Sequence, residues 1–268
     1  VPKMALELAH IILAVDDLAA AMATLRAEGF TVVPGGTHAS GATHNALIVF
    51  QDQTYIELLA PTGAEPRTDV AAPDFRSLLG RSGWAGYALR VNNARSLVKG
   101  LRRRDVAVGD PFEASRERPD GKTARWQMAM LEGTASPFFI QDITPLNLRI
   151  PDNKEATTHK NGVTGVISIG FVVADLETAI RRYSQLLGVL PSVNDSGAHF
   201  DLEGIWLTLM LPENDEMQAH LDQRGDAPYQ LVLRSRDASL SGNTPARKVL
   251  GAQIEIARGV VTSRQWEE

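Results

Sequence analysis

The feature that most limits what this chain can fold into is that it repeats itself. GYALRVNNARSLVKGLRRRDV lies over HIILAVDDLAAAMATLRAEGF at one constant offset: Gly86 follows His10 by 76 residues, and Leu101 follows Leu25 by the same 76. Each copy opens with an apolar strand pattern. LELAHIILAV (6–15) leads into DDLAAAMATLRAEGF, where Leu18, Ala21, Met22 and Leu25 recur at helical spacing, Asp16 or Asp17 suits the N-cap and Gly29 the stop. Three short strands are expected next, at about 30–34, at THNALIVF (43–50) and at TYIELLA (54–60). In the second copy PFEASRER and TARWQMAML flank the turn PDGK, and SPFFIQDIT closes the unit.

A third copy, GVISIGFVVADLETAIRRYSQLLGVLP, follows the polar stretch 147–162, which has the composition of a linker. AHFDLEG and IWLTLMLP are its closing strands. A polar helix near 214–224, PYQLVLRSR and AQIEIARG then read as a fourth copy, shortened or remodelled. The expected domains are 1–146, holding modules 6–60 and 84–143, and a second half at 163–268. Repetition at this period outweighs local propensity. One strand-helix-three-strand unit leaves a sheet edge and one face unburied, so copies must pair, and the fold class is α+β with concave, half-barrel mixed sheets.

Composition narrows the chemistry. Across 268 residues, 44% are hydrophobic and 22% charged, ordinary proportions for a globular chain. A net charge of −5 gives no footprint for nucleic acid, and LRRRD (101–105) reads as a solvated helix terminus. Cysteine is absent, so disulfides, thiolate nucleophiles and sulfur-ligated zinc are excluded. VPKMALELAHIILAV is broken by Glu7 and His10, and no run nears the roughly 18 apolar residues of a membrane span. No membrane partner and a cytoplasmic location are therefore expected. Gly-x-Ser-x-Gly, His-Glu-x-x-His, Gly-x-Gly-x-x-Gly and the P-loop are all missing, while a scattered Ser-His-Asp triad stays open.

The order of elements and the run AHIILAVDDLAAAMATLRAEGF…GATHNALIVF…TYIELLAP resemble the vicinal oxygen chelate superfamily, and within it the glyoxalase-like domain proteins. The likeness is fullest over 6 to about 145. It implies paired βαβββ modules whose first and last strands send metal ligands into a cup. Carried across, it offers His10 and Glu57 in the first module, Gly86 and Gln141 in the second (laying FFIQD over TYIEL), and Ser168 and Thr208 in the third. Gly86 cannot coordinate through a side chain and Gln141 is a weak neutral donor, so the set is incomplete.

The residues themselves say why His10 and Glu57 stand out: both are costly to bury, yet both sit in strands built to face a core. Each is either a hydrogen-bonded structural group or a member of the site. His44 is a candidate third metal ligand or catalytic contact, giving two histidines and a carboxylate suited to iron, manganese or zinc. His38, in a glycine-rich loop, is a weaker candidate. Tyr55 and Trp126 are pocket walls or plain core, Arg90 an anion-recognising or outward-facing residue, and Gln141 a polar lining group. His159, His199 and His220 receive no role.

Two functions follow. One is a metal-assisted lyase, isomerase or dioxygenase for a small organic substrate with adjacent oxygens, using a divalent ion (Zn, Mn, Fe, Ni or Mg) at His10, Glu57 and His44, with Glu57 alternatively a general base. The other is a metal-free protein that sequesters a small molecule in the same cup. A third reading makes the second half a structural partner that closes the cavity or mediates self-association, and a homodimer is among the expected partners.

Overall fold

Three modules start their helix on the same device. Asp17, Asn93 and Asp175 each leave the first strand extended and accept a hydrogen bond from the backbone three residues on, at Ala20 (3.0 Å), Ser96 (2.8 Å) and Thr178 (2.7 Å). Each satisfies an amide that the helix start would otherwise orphan. The computed structural model describes residues 6–69, 75–133, 136–237 and 245–258; the outer ends of the two expected domains, 1–5 and 259–268, lie outside the described residues.

The first module is β1 (Glu7–Ala14), α1 (Leu18–Ala27), β2 (Val33–His38), β3 (Thr43–Val49) and β4 (Tyr55–Pro61). After a short 3-10 turn (Phe75–Leu78) the second runs β5 (Gly83–Arg90), α2 (Ala94–Arg102), β6 (Phe112–Glu117), β7 (Thr123–Met130) and β8 (Phe138–Asp142). These eight strands form a closed barrel in the order β1-β4-β3-β2-β6-β7-β8-β5. His38, expected in a loop, is the last residue of β2.

Register turns the repeat into symmetry. β1 and β5 run antiparallel with His10 opposite Ala88 and Ile12 opposite Gly86. The offset of 76 exchanges those two pairs, so a local two-fold relates the modules. In the flanking parallel pairs, Ile12 faces Glu57 and Ala88 faces Phe138. The counterpart of Glu57 is therefore Phe138, and not Gln141 three residues later. An odd slip in a strand reverses which face a side chain takes, so the expected alignment put Gln141 on the wrong side.

Closure depends on β2 meeting β6 through Thr37–Glu117 and His38–Arg116. Gly36 makes that approach possible: its φ is +132°, and a Cβ there would stand 2.1 Å from the Glu117 carbonyl oxygen. Gly36→Ala is expected to lower stability by more than the ~1–3 kcal/mol of backbone strain alone, because the clash is with backbone that cannot swing away. A urea midpoint equal to that of the parent protein would show that the seam is not tight.

The 147–162 stretch is packed rather than a free tether. It holds two single turns, α3 (Leu146–Arg149) and α4 (Lys154–Thr157), with Arg149, Ile150 and His159 buried. His159 Nδ1 accepts from the Thr31 amide at 3.0 Å while Nε2 meets the Val49 carbonyl at 3.1 Å, so the ring is neutral and pins the stretch to the barrel.

The second half comprises β9 (Val163–Val172), α5 (Leu176–Leu187), β10 (Ser192–Asn194), β11 (Gly197–Asp201), β12 (Trp206–Met210), α6 (Asp215–Arg224), β13 (Ala227–Ser235), β14 (Arg247–Val249) and β15 (Ala252–Arg258). Its sheet, β10-β11-β12-β9-β13-β15-β14, follows the barrel's order with one strand fewer and stays open. Among the described residues its fourth module shows β13, β14 and β15 and no helix, and both edge strands have only three residues. Tyr87, on the outside of the barrel, packs edge-to-face on Phe171 of β9, and Trp84 donates to the Gln253 carbonyl at 3.0 Å, so one apolar core spans barrel and sheet.

Candidate functional site

Alternation along the barrel strands decides what points inward. In β4, Tyr55, Glu57 and Leu59 share the inner face, opposite Val49, Leu47 and Asn45 of β3. His10 of β1 stacks on Tyr55 with ring centroids 4.5 Å apart and meets Phe138 edge-on at 5.6 Å. His38 enters from β2, and Arg116 and Trp126 from β6 and β7. The hollow they surround is tight, with a cavity volume of about 20 Å³. That is room for about one water, well below the few hundred Å³ of a typical ligand pocket.

Glu57 is the centre. Its Oε2 lies 3.1 Å from His10 Nε2, its Oε1 lies 3.4 Å from His38 Nε2, and Asn45 Nδ2 donates to Oε1 at 2.5 Å. Burial by itself would raise the Glu57 pKa, but contacts from His10 and His38 outweigh it and hold the carboxyl well below its usual range. Burial lowers the His10 pKa, with Glu57 opposing, so the ring is neutral beside a carboxylate. The His10 N–H is not aimed along the 3.1 Å line, and neither ring nitrogen completes a protein hydrogen bond.

A second ionic group forms the wall. Arg149 reaches in from α3, its Nε and Nη2 donating to Asp142 at 2.6 and 2.9 Å and its Nη1 to the Tyr55 hydroxyl at 2.8 Å. Burial would lower its pKa, yet Tyr55 and Asp142 raise it. Burial pushes the Tyr55 hydroxyl up to about 12, so it stays protonated. Arg116 Nη2 donates to the Arg149 carbonyl at 2.6 Å and Nη1 to Asn45 Oδ1 at 3.4 Å.

The structure brings His10, Glu57, Tyr55 and Trp126 together. It does not bring His44, Gln141 or Arg90 to the hollow. His44 stands on the outer face of β3 beside Ala46 and Ile48, one residue out of phase with inward Asn45. Gln141 faces α2, where its Oε1 accepts from the Ala94 amide at 2.8 Å. Arg90 is tied at the rim to the Gln53 carbonyl (2.9 Å) and to Glu7 (3.6 Å). Sequence reasoning missed Asn45, Arg116, Asp142 and Arg149. Period-two alternation with Leu47 and Ala114 would have found Asn45 and Arg116; nothing local marks Arg149.

A divalent ion does not fit this donor set. His10 and His38 approach different oxygens of Glu57, so the carboxylate stands between two rings instead of sharing a centre with them. The second module contributes Gly86 and Phe138, and a Cβ on Gly86 would press on Ser136 at 2.9 Å. Two guanidinium groups line the same hollow. Among the described residues no group of three or more His, Asp or Glu is placed to hold a metal. In the second half the counterparts are Ser168, Thr208, Gln230 and Glu255, and Gln230 is spent donating to Glu255 at 2.8 Å.

A family model described as "Glyoxalase-like domain" matches residues 8–187. No curated protein sequence matches the chain. Among solved structures, a hypothetical protein from Staphylococcus aureus is 15% identical with a TM-score of 0.75, covering 95% of this chain and 100% of that one. A mutant of 4-hydroxymandelate synthase from Streptomyces coelicolor is 14% identical with a TM-score of 0.57, covering 87% and 72% respectively. A fusion of a xylose isomerase-like TIM barrel with a 4-hydroxyphenylpyruvate dioxygenase is 16% identical with a TM-score of 0.53, covering 88% of this chain and 38% of that one. At these identities the likeness is one of fold.

Proposed function

This chain belongs to the glyoxalase-like domain family, within the vicinal oxygen chelate fold, and from that premise we propose that its barrel transfers a proton on a small organic substrate without a resident metal. The observation that supports this is the His10–Glu57 pair: a buried neutral imidazole with Nε2 toward a carboxylate and Nδ1 free of protein partners. The Glu57 carboxylate, 3.1 Å from Nε2, stabilises the imidazolium when it forms, which suits His10 to act as the base. His38 and Asn45 keep Glu57 ionised and in place. The suitable reaction is removal of a proton from carbon beside a carbonyl, the opening step of an isomerase or lyase. The neutral Tyr55 hydroxyl, polarised by Arg149, stands next to His10.

The test is solvent deuterium incorporation into small ketones and α-keto acids, headed by pyruvate, by protein stripped with a chelator. Exchange well above the buffer rate is the expected result. Exchange that appears only after a divalent ion is added would restore the metal-assisted reading, which the dioxygenase in the name of one fold relative favours. Saturable binding with no exchange would support sequestration. No helix among the described residues is long and apolar enough to cross a membrane; a cytoplasmic setting, a small-molecule partner rather than nucleic acid or membrane, and a homodimer belong to the same proposal.

A further inference from the structure

Deepening that reading and resting on it for the place of the site, we infer that the substrate is a carboxylate, gripped by the Nε–H of Arg116 and the indole N–H of Trp126. These N–H groups belong to side chains only 3% and 6% exposed, and neither finds a protein acceptor. Leaving a buried donor unpaired costs roughly 1–3 kcal/mol, and two such donors on one wall of one hollow call for an acceptor from outside the chain. Both residues face inward from adjacent strands: Arg116 is opposite Ala124, and Trp126 is the next inward residue along β7. That diagonal spacing lets two long side chains reach one group.

Charge points to an anion. Arg149 is matched by Asp142 in a two-pronged ion pair, whereas among the described residues no carboxylate lies within ion-pair distance of Arg116, whose bonds go to a carbonyl and an amide. Glu57, the remaining carboxylate of the hollow, is engaged by Asn45, His10 and His38. A planar carboxylate can accept from Arg116 with one oxygen and from Trp126 with the other. His10, on the wall across from β6 and β7, then faces the carbon chain, consistent with an α-keto acid whose carbonyl adjoins its carboxylate.

Nitrogen-15 spectra of the intact protein test this, with pyruvate and its neutral amide as probes. Pyruvate is expected to shift the Arg116 Nε–H signal and one of the four tryptophan indole signals, assigned with Trp126→Phe, and to bind at least tenfold more tightly than pyruvamide. Arg116→Met should erase that preference, and Trp126→Phe, which keeps the ring, should reduce it if loss of Arg116 disturbs folding. Equal binding of acid and amide, or binding that leaves both signals unmoved, overturns the clamp. Deuterium exchange equally fast on both probes also overturns it while sparing the proton-transfer reading. Clamped pyruvate without exchange does the reverse.

Discussion

His10→Ala is expected to slow proton transfer by ~10²–10⁴-fold, the usual worth of a positioned general base. The loss should fall on kcat more than on KM, because the anionic end of the substrate is held from the opposite wall. Glu57→Gln keeps the shape of the site but removes the charge that stabilises the His10 imidazolium, so it should be impaired in the same parameter. A His10→Ala protein with parental exchange rates would remove His10 from the chemistry.

The same variant has a signature in stability. Burial keeps His10 neutral, so below its ordinary pKa of 6.5 the unfolded chain takes up a proton that the folded chain refuses. Glu57, held well below its ordinary 4.5, acts in the same direction at lower pH. In both cases the unfolded state binds more protons, so stability is greatest above these values and is lost as pH falls. His159, His199 and His220 are lowered by burial as well and add to the slope. His10→Ala should therefore flatten, without abolishing, the fall in urea midpoint between about pH 7 and pH 5. An unchanged slope would mean that His10 titrates normally.

The largest expected loss of stability comes from Arg149→Met, at ~3–5 kcal/mol, because it leaves one partner of a buried ion pair uncompensated. The guanidinium makes two bonds to Asp142 and one to the Tyr55 hydroxyl at 2 % exposure, and Tyr55 in turn stacks on His10. Activity should fall with stability, since the ring that backs His10 loses its anchor. Pairing the change with Asp142→Asn tests the cause: the double variant should recover much of the loss, as the orphaned charge goes with it. A cost below ~1 kcal/mol, the range of exposed pairs, would mean that the pair is effectively solvated.

How far the chain can be read without its fold depends on the range of the interaction that places each residue. The helix caps Asp17, Asn93 and Asp175 act over three residues and recur in the repeat, so they are legible in one dimension. His10 and Glu57 were legible too, as ionisable groups in apolar strands. His44 was misjudged by one residue and Gln141 by three, both odd shifts, which in a strand exchange inside for outside. Arg149 lies within the polar stretch 147–162, which has no period of its own; its partners Tyr55 and Arg116 come from distant strands.

By itself, then, the amino-acid order determined the repeated module, the pairing of modules and the strands that line the hollow, because periodicity, caps and turns are properties of neighbouring residues. Only the tertiary structure decided that the first pair closes while the second stays open, that Phe138 stands where Glu57 has its counterpart, and that Arg116 and Arg149 complete the wall. Those outcomes rest on strand register, on a seam sealed at Gly36 and on a charge carried in from a connecting segment, all set by contacts between residues far apart along the chain.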